Sequence, residues 1–255
     1  MRNAWVIAKR DMGSYFNSPV FYVVTTVFLV IYSFIFFNIL NFFSFQSLQA
    51  GQFRGMNVGL NLNEMVIEPS FSNMAVILLL IIPILTMRSF ADEKKSKTYT
   101  LLLSSPVHLK EIILGKFFAC ITVVFLMILL SSYSIGFLLA LGEPEVGPII
   151  TGYLGILLMA GCYVGMGVFA SSLTDNQIIS AVIAFGFSLF MWVIGWASQA
   201  AGAGLGDVLQ YLSLIDHIER FLKGIVDSSD VIYYLSFTFF FLFLTHRVLD
   251  SQRWR

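Results

Sequence analysis

Read as apolar and polar positions, the chain is six long apolar runs separated by polar segments, at about 20–42, 71–87, 112–141, 149–171, 178–197 and 231–249. A helix rising 1.5 Å per residue needs roughly 20 residues to cross about 30 Å of hydrocarbon, and the runs are of that order or longer. Nothing in hydrocarbon can satisfy the backbone of an irregular segment, so such runs cross as helices. The pattern predicts an all-α polytopic membrane protein with six transmembrane helices, forming one transmembrane domain over 1–255. The third run is about ten residues longer than a span requires, which predicts a tilted helix or one projecting into water at 110–116. Pro83, inside the second run, predicts a kink.

Several of the polar segments have patterns of their own. In 1–17, Trp5, Ala8, Met12 and Phe16 recur at helical spacing while Arg2, Lys9, Arg10 and Asp11 lie elsewhere, so the segment predicts an interfacial helix. Segment 43–69 is too polar to span, and Met56, Leu60, Met65, Val66 and Ile67 predict packing against a membrane face. Segment 198–230 has a glycine-rich break at 202–206. An amphipathic stretch follows, with Leu214, Ile215, Ile218, Phe221, Leu222 and Ile225 opposite Asp216, Glu219, Arg220 and Lys223. It predicts an outer hairpin of two short helices lying on, or re-entering, the membrane before the last span. Segment 88–116 is the most basic, with Arg88, Lys94, Lys95, Lys97, Lys110 and Lys116. Within it Tyr99, Leu102 and Leu103 share a helical face, and Ser104, Ser105 and Pro106 end the turn, because a residue before proline leaves the α region. The segment predicts a short amphipathic cytoplasmic helix flanked by cations.

Composition agrees with this picture. The chain is 58% hydrophobic and 12% charged, against roughly 25% charged for a soluble domain. Its formal net charge is zero, so nucleic acid is not an expected partner. The distribution of charge is informative. With both termini and 88–116 on one side, that side holds twelve cations: Arg2, Lys9, Arg10, the six just named, Arg247, Arg253 and Arg255. The other holds Arg54, Arg220 and Lys223. The excess of positive charge predicts that the first side is cytoplasmic, and hence an inner-membrane protein. The first apolar run exceeds the 7–15 residues of a signal-peptide core and is expected to stay as an anchor. Cys120 and Cys162 stand alone in apolar runs and read as small buried hydrophobes.

The candidate chemistry is sparse. Lys116 and Arg247 lie near the ends of their runs, and no Asp, Glu, Lys or Arg falls in the six apolar cores, where ion-coupled carriers and voltage sensors keep ionisable groups. His108, His217 and His246 lie far apart, and no metal-ligand, catalytic or carboxylate-pair spacing stands out. Leu114-Gly115-Lys116-Phe117 lacks the upstream glycine and the Ser/Thr of a phosphate-binding loop. The residues predict no enzyme and no cofactor in this chain, and energy for transport supplied by a partner.

The run from Met87 through Ala91-Asp92-Glu93-Lys94 and Lys97-Thr98 to Leu101-Leu102-Leu103, Pro106-Val107 and Gly115-Lys116 resembles the loop of type-2 ABC-exporter permeases. In that family two acids and a base, Gly-Thr, Glu-Leu-Leu, Pro-Val and then Gly-Lys form a coupling helix after the second span. The likeness extends over the whole layout, and is nearest to the gliding-motility branch. Lys97 stands where the family has Gly, and Thr100 where it has Glu. The resemblance implies the membrane subunit of an exporter, working with a second permease copy or a homologous permease. A separate cytoplasmic ATPase would hold ATP and magnesium. Its implied contact set here is Lys94, Lys95, Lys97, Thr98, Tyr99, Leu102 and Leu103.

Two other functions fit the apolar pattern: a membrane scaffold in a larger ATPase-driven motility or secretion machine, and a secondary carrier or channel. Gly161 and Gly165 form a small-xxx-small pair in the fourth run, suited to close helix packing within the chain or to a second subunit.

Overall fold

The computed structural model describes residues 2–52, 61–98, 107–142, 144–200, 202 and 204–253, and among these all regular structure is helical. In chain order the helices are α1 (Arg2–Asn17), α2 (Pro19–Gln52), α3 (Glu68–Thr86), α4 (Arg88–Lys95), α5 (Leu109–Leu130) and α6 (Tyr133–Leu141). Then follow α7 (Val146–Leu173), α8 (Gln177–Ala200), α9 (Leu205–Leu212), α10 (Leu214–Leu222) and α11 (Ser228–Arg253), with a π-helical turn at Asn63–Ile67 leading into α3. Six stretches are long and apolar enough to cross a membrane.

The bundle is built around α7 and α3. The spanning window of α7 is 78% buried and that of α3 is 72%, whereas α11 is only 22% buried. Glycine explains how α7 can be central. A Cβ on Gly152 would stand 2.7 Å from the ring of Phe71 on α3, one on Gly155 would stand 2.7 Å from Phe221 on α10, and one on Gly167 would stand 2.0 Å from Thr86 on α3. Where lipid is as apolar as the side chains, such close approach supplies the packing that holds helices together. By contrast a Cβ on Gly161 or Gly165 would meet Thr238 and Phe241 of α11 at an ordinary 3.6 Å. The outer helices α2, α8 and α11 expose Phe34, Phe45, Ile178, Phe190 and Phe239, as a surface facing lipid requires.

The chain ends share one end of the bundle. Asp11 of α1 meets Lys116 of α5 there, and Gln252 of α11 donates to the Ser172 carbonyl at the end of α7. At the far end Asn63 and Glu145 exchange hydrogen bonds, and Thr151 donates to the Phe221 carbonyl at 2.6 Å. We call the first the basic end and the second the hairpin end.

Three expectations change. The third run is not one tilted helix but breaks at Ser131 and Ser132 between α5 and α6. Both serine hydroxyls turn back onto carbonyls of the preceding turn, Ile128 and Leu129, in competition with the helical ladder. Helix α1 forms, leaving Trp5 68% exposed while Ala4, Ile7 and Ala8 are buried against α5. Val66 and Ile67 are fully buried in the protein and do not face the membrane, while Met56 and Leu60 lie outside the described residues. The hairpin does form two short helices, but α10 turns its apolar face to the protein: Leu214, Ile218, Phe221 and Leu222 are buried, and Ile225 is exposed.

Candidate coupling site

The second span continues past Met87 as α4, which carries the chain to the segment predicted to meet a partner. A new helix start leaves its first N–H groups without intrahelical acceptors. Ser171 of α7 supplies one: its Oγ accepts from the Phe90 and Ala91 amides at 2.9 and 3.0 Å, and donates to the Met87 carbonyl at 3.0 Å. One buried hydroxyl from a distant helix thus closes the break. Lys94 donates to the Ser172 carbonyl at the C-terminal end of α7, where a helix dipole favours a cation. Gln177 at the start of α8 donates to Asp92.

The other side of α4 enters an ionic cluster. Lys116 of α5 is 3% exposed, and its Nζ lies 2.9 Å from Glu93 and 3.2 Å from Asp11. Arg10 reaches the same two carboxylates at 3.0 and 2.8 Å from a half-exposed position. Lys116 also sits 5.0 Å from the centre of the Phe90 ring. Two acids and two bases therefore join α1, α4 and α5, and the buried lysine is charge-balanced as burial demands. The preceding residue makes this possible: a Cβ on Gly115 would stand 2.8 Å from the Ala4 carbonyl, so glycine lets α1 come close enough for Asp11 to reach Lys116. Tyr15, one turn on, donates to the Leu85 carbonyl at 2.9 Å. Burial, and then its neighbour Cys120, hold the Tyr15 phenol well above its ordinary pKa, so it remains a neutral donor.

A cavity of 390 Å³ opens beside the cluster, lined among others by Ser14, Ser18, Arg88, Glu93 and Lys116. Arg88 Nε and Glu93 Oε2 are buried without a hydrogen-bond partner in the protein.

The predicted contact residues divide. Tyr99, Leu102 and Leu103 lie outside the described residues. Lys94 and Lys95 are not on a separate coupling helix but in the last turn of α4, and Lys94 is occupied by α7. Lys97 and Thr98 form the helix terminus. The Lys97 amide bonds the Lys94 carbonyl at 3.1 Å, the Thr98 amide bonds the Glu93 carbonyl at 3.0 Å, and Lys97 has φ 58°. That is a Schellman turn, whose left-handed residue is usually glycine. The position where this chain departs from Gly-Thr is the one where the backbone asks for glycine. Arg10, Asp11 and Glu93 were not picked out from sequence as a cluster. The available signals were a lone acid among bases in the first segment and the Gly-Lys pair.

The hairpin end holds a second buried pair of ionisable side chains. His217 Nδ1 is 2.6 Å from Asp230, and Nε2 is 2.9 Å from the Tyr211 carbonyl. A carbonyl can only accept, so the contact with Tyr211 calls for a donor at Nε2. Tyr233 stacks on the imidazole with ring centres 4.0 Å apart. Arg220 lies 3.6 Å from Asp230 and 3.2 Å from Asp227. Among the described residues no group of three or more His, Cys, Asp or Glu could hold a metal ion.

Six helices long and apolar enough to cross a membrane define a multi-pass membrane protein. The family model described as "ABC-2 family transporter protein" matches residues 5–251, and the chain belongs to that family. It is therefore a membrane protein of an ABC transporter, from a permease family that is normally non-enzymatic and usually works with a cytoplasmic ATPase subunit. No curated protein matches the chain.

Proposed function

We propose that this chain is the membrane subunit of an exporter, and that a separate ATPase holding ATP and magnesium drives it through the segment after α4. The observation that carries this reading is the ionic cluster. Glu93 precedes the segment, Lys116 follows it, and both are bound to α1, while Asp92 and Lys94 bind the α7–α8 turn. A push on the segment is thereby delivered to four elements at once rather than absorbed by a loose loop. Tyr99, Leu102 and Leu103 supply the apolar anchors of a helix-in-groove contact, with Lys95 and Lys97 at its rim. The basic end is cytoplasmic on the charge distribution, the lipid bilayer is its solvent, and a second permease copy or homologous permease completes the pore.

Two experiments test this. Replacing Leu102 and Leu103 with Asp puts charge into the proposed groove, so the ATPase is lost on co-purification while the permease still inserts. Full retention of the ATPase refutes the contact. A cysteine at Ser96, treated with an impermeant thiol reagent, is labelled only after cells are opened. Labelling of intact cells refutes the orientation.

A further inference from the structure

A groove of 500 Å³ runs between the first turns of α5 and the last turns of α11, at the basic end. Its walls are apolar, with Leu114 on one side and Leu242 and Phe243 on the other. Its polar lining is Lys110, His246 and Arg247, and no carboxylate is among the described residues that line it. Arg247 is held at its place by the Phe243 ring, 5.1 Å from its guanidinium carbon. Across the bundle Lys116 and Arg10 have carboxylate partners, so the unbalanced bases of the groove are not the rule at this end.

We propose that this groove is a binding site for an anionic phospholipid of the leaflet at the basic end. The acyl chains cover the apolar wall, and the phosphate group rests on Lys110, His246 and Arg247. The two halves of the lining select such a ligand. A soluble anion would leave the Leu114 and Leu242 wall bare, and a zwitterionic lipid would bring its own cation to a site already rich in bases. The proposal does not rest on the ATPase contact.

The test uses the whole protein reconstituted in phosphatidylcholine vesicles containing a trace of photoactivatable phosphatidylglycerol or photoactivatable phosphatidylcholine. After illumination, the glycerol lipid labels peptides covering 110–114 and 239–247 at least about tenfold more than the choline lipid, on the scale of a few basic contacts. Lys110→Gln and Arg247→Gln each lower that labelling roughly fivefold, the effect of one base near a lipid surface. Lys9→Gln, which removes an exposed base elsewhere on the same end, changes it less than about twofold. Leu114→Trp fills the apolar part without touching charge and also lowers labelling. Equal labelling by the two lipids, or equal losses for Lys9→Gln and Lys110→Gln, overturns the site. So does displacement of the lipid by free glycerol phosphate, which would make it a soluble-anion site.

Discussion

The two ends of the bundle each bury a cluster of ionisable side chains, yet they join very different parts of the chain. At the hairpin end, His217 and Asp230 are 13 residues apart and tie α10 to the start of α11. At the basic end, Asp11 and Lys116 are 105 residues apart, and Glu93 and Arg10 join them across 83. A local pair fixes the shape of one hairpin. A long-range cluster ties three separate elements together. The same contrast runs through packing: α10 buries its apolar face on α7, whereas α9, next to it, has no buried residue at all and exposes Leu205, Val208 and Tyr211. The hairpin end is thus half anchored and half open to lipid or a partner. The basic end is braced where the segment after α4 begins and where it ends.

The largest effect is expected at Lys116. Lys116→Met leaves Glu93 and Asp11 without their buried base, and removing one member of a buried ionic group costs about 3–5 kcal/mol. Thermal denaturation in detergent should show a sharp loss, with α1 becoming susceptible to protease. If Lys116→Met melts like the wild type, the cluster is not holding these elements together. Asp230→Ala comes next, at about 3 kcal/mol, because it strips His217 and Arg220 of a shared acceptor. Asp230→Asn, which can still bond the imidazole, should recover part of that loss, and protease sensitivity should stay within 205–230.

The glycines sharpen the comparison at smaller scale. Gly167→Ala drives a methyl group into buried Thr86 and should cost about 1–3 kcal/mol, whereas Gly161→Ala and Gly165→Ala should each stay below about 1 kcal/mol. Equal losses at the three positions would contradict the packing described. The smallest effect has the opposite sign. Lys97→Gly removes the strain of a left-handed lysine and should stabilise by about 1 kcal/mol, read as a rise in melting temperature. A fall would mean that the lysine side chain outweighs the backbone preference.

These positions show what the sequence carried and what it did not. Six apolar runs were legible because hydrocarbon thickness sets helix length, and the second hairpin helix because its polar face repeats at 3.6 residues. The break at Ser131 was not, since serine hydroxyls act on a helix only through a local hydrogen-bond competition that hydropathy does not register. The Gly161 and Gly165 pair drew notice by spacing, but Gly115, Gly155 and Gly167 make the tighter approaches, and only the facing residue decides that. Asp92, Glu93 and Lys94 were recognisable as a motif, yet each binds a different element, so their roles depend on α5, α7 and α8 arriving from elsewhere in the chain. His217 looked isolated because its partner lies beyond a turn.

The most direct test of the central claim is ATP hydrolysis by the reconstituted complex carrying Glu93→Gln. Glu93 lies outside the proposed apolar groove contact but within the brace behind it. The account predicts that the ATPase still co-purifies in full amount, while permease-stimulated hydrolysis falls by roughly tenfold or more, in line with losing a buried charged contact. A complex that keeps its ATPase and its full stimulated hydrolysis with Glu93→Gln would show that force does not pass through the Arg10, Asp11, Glu93 and Lys116 cluster.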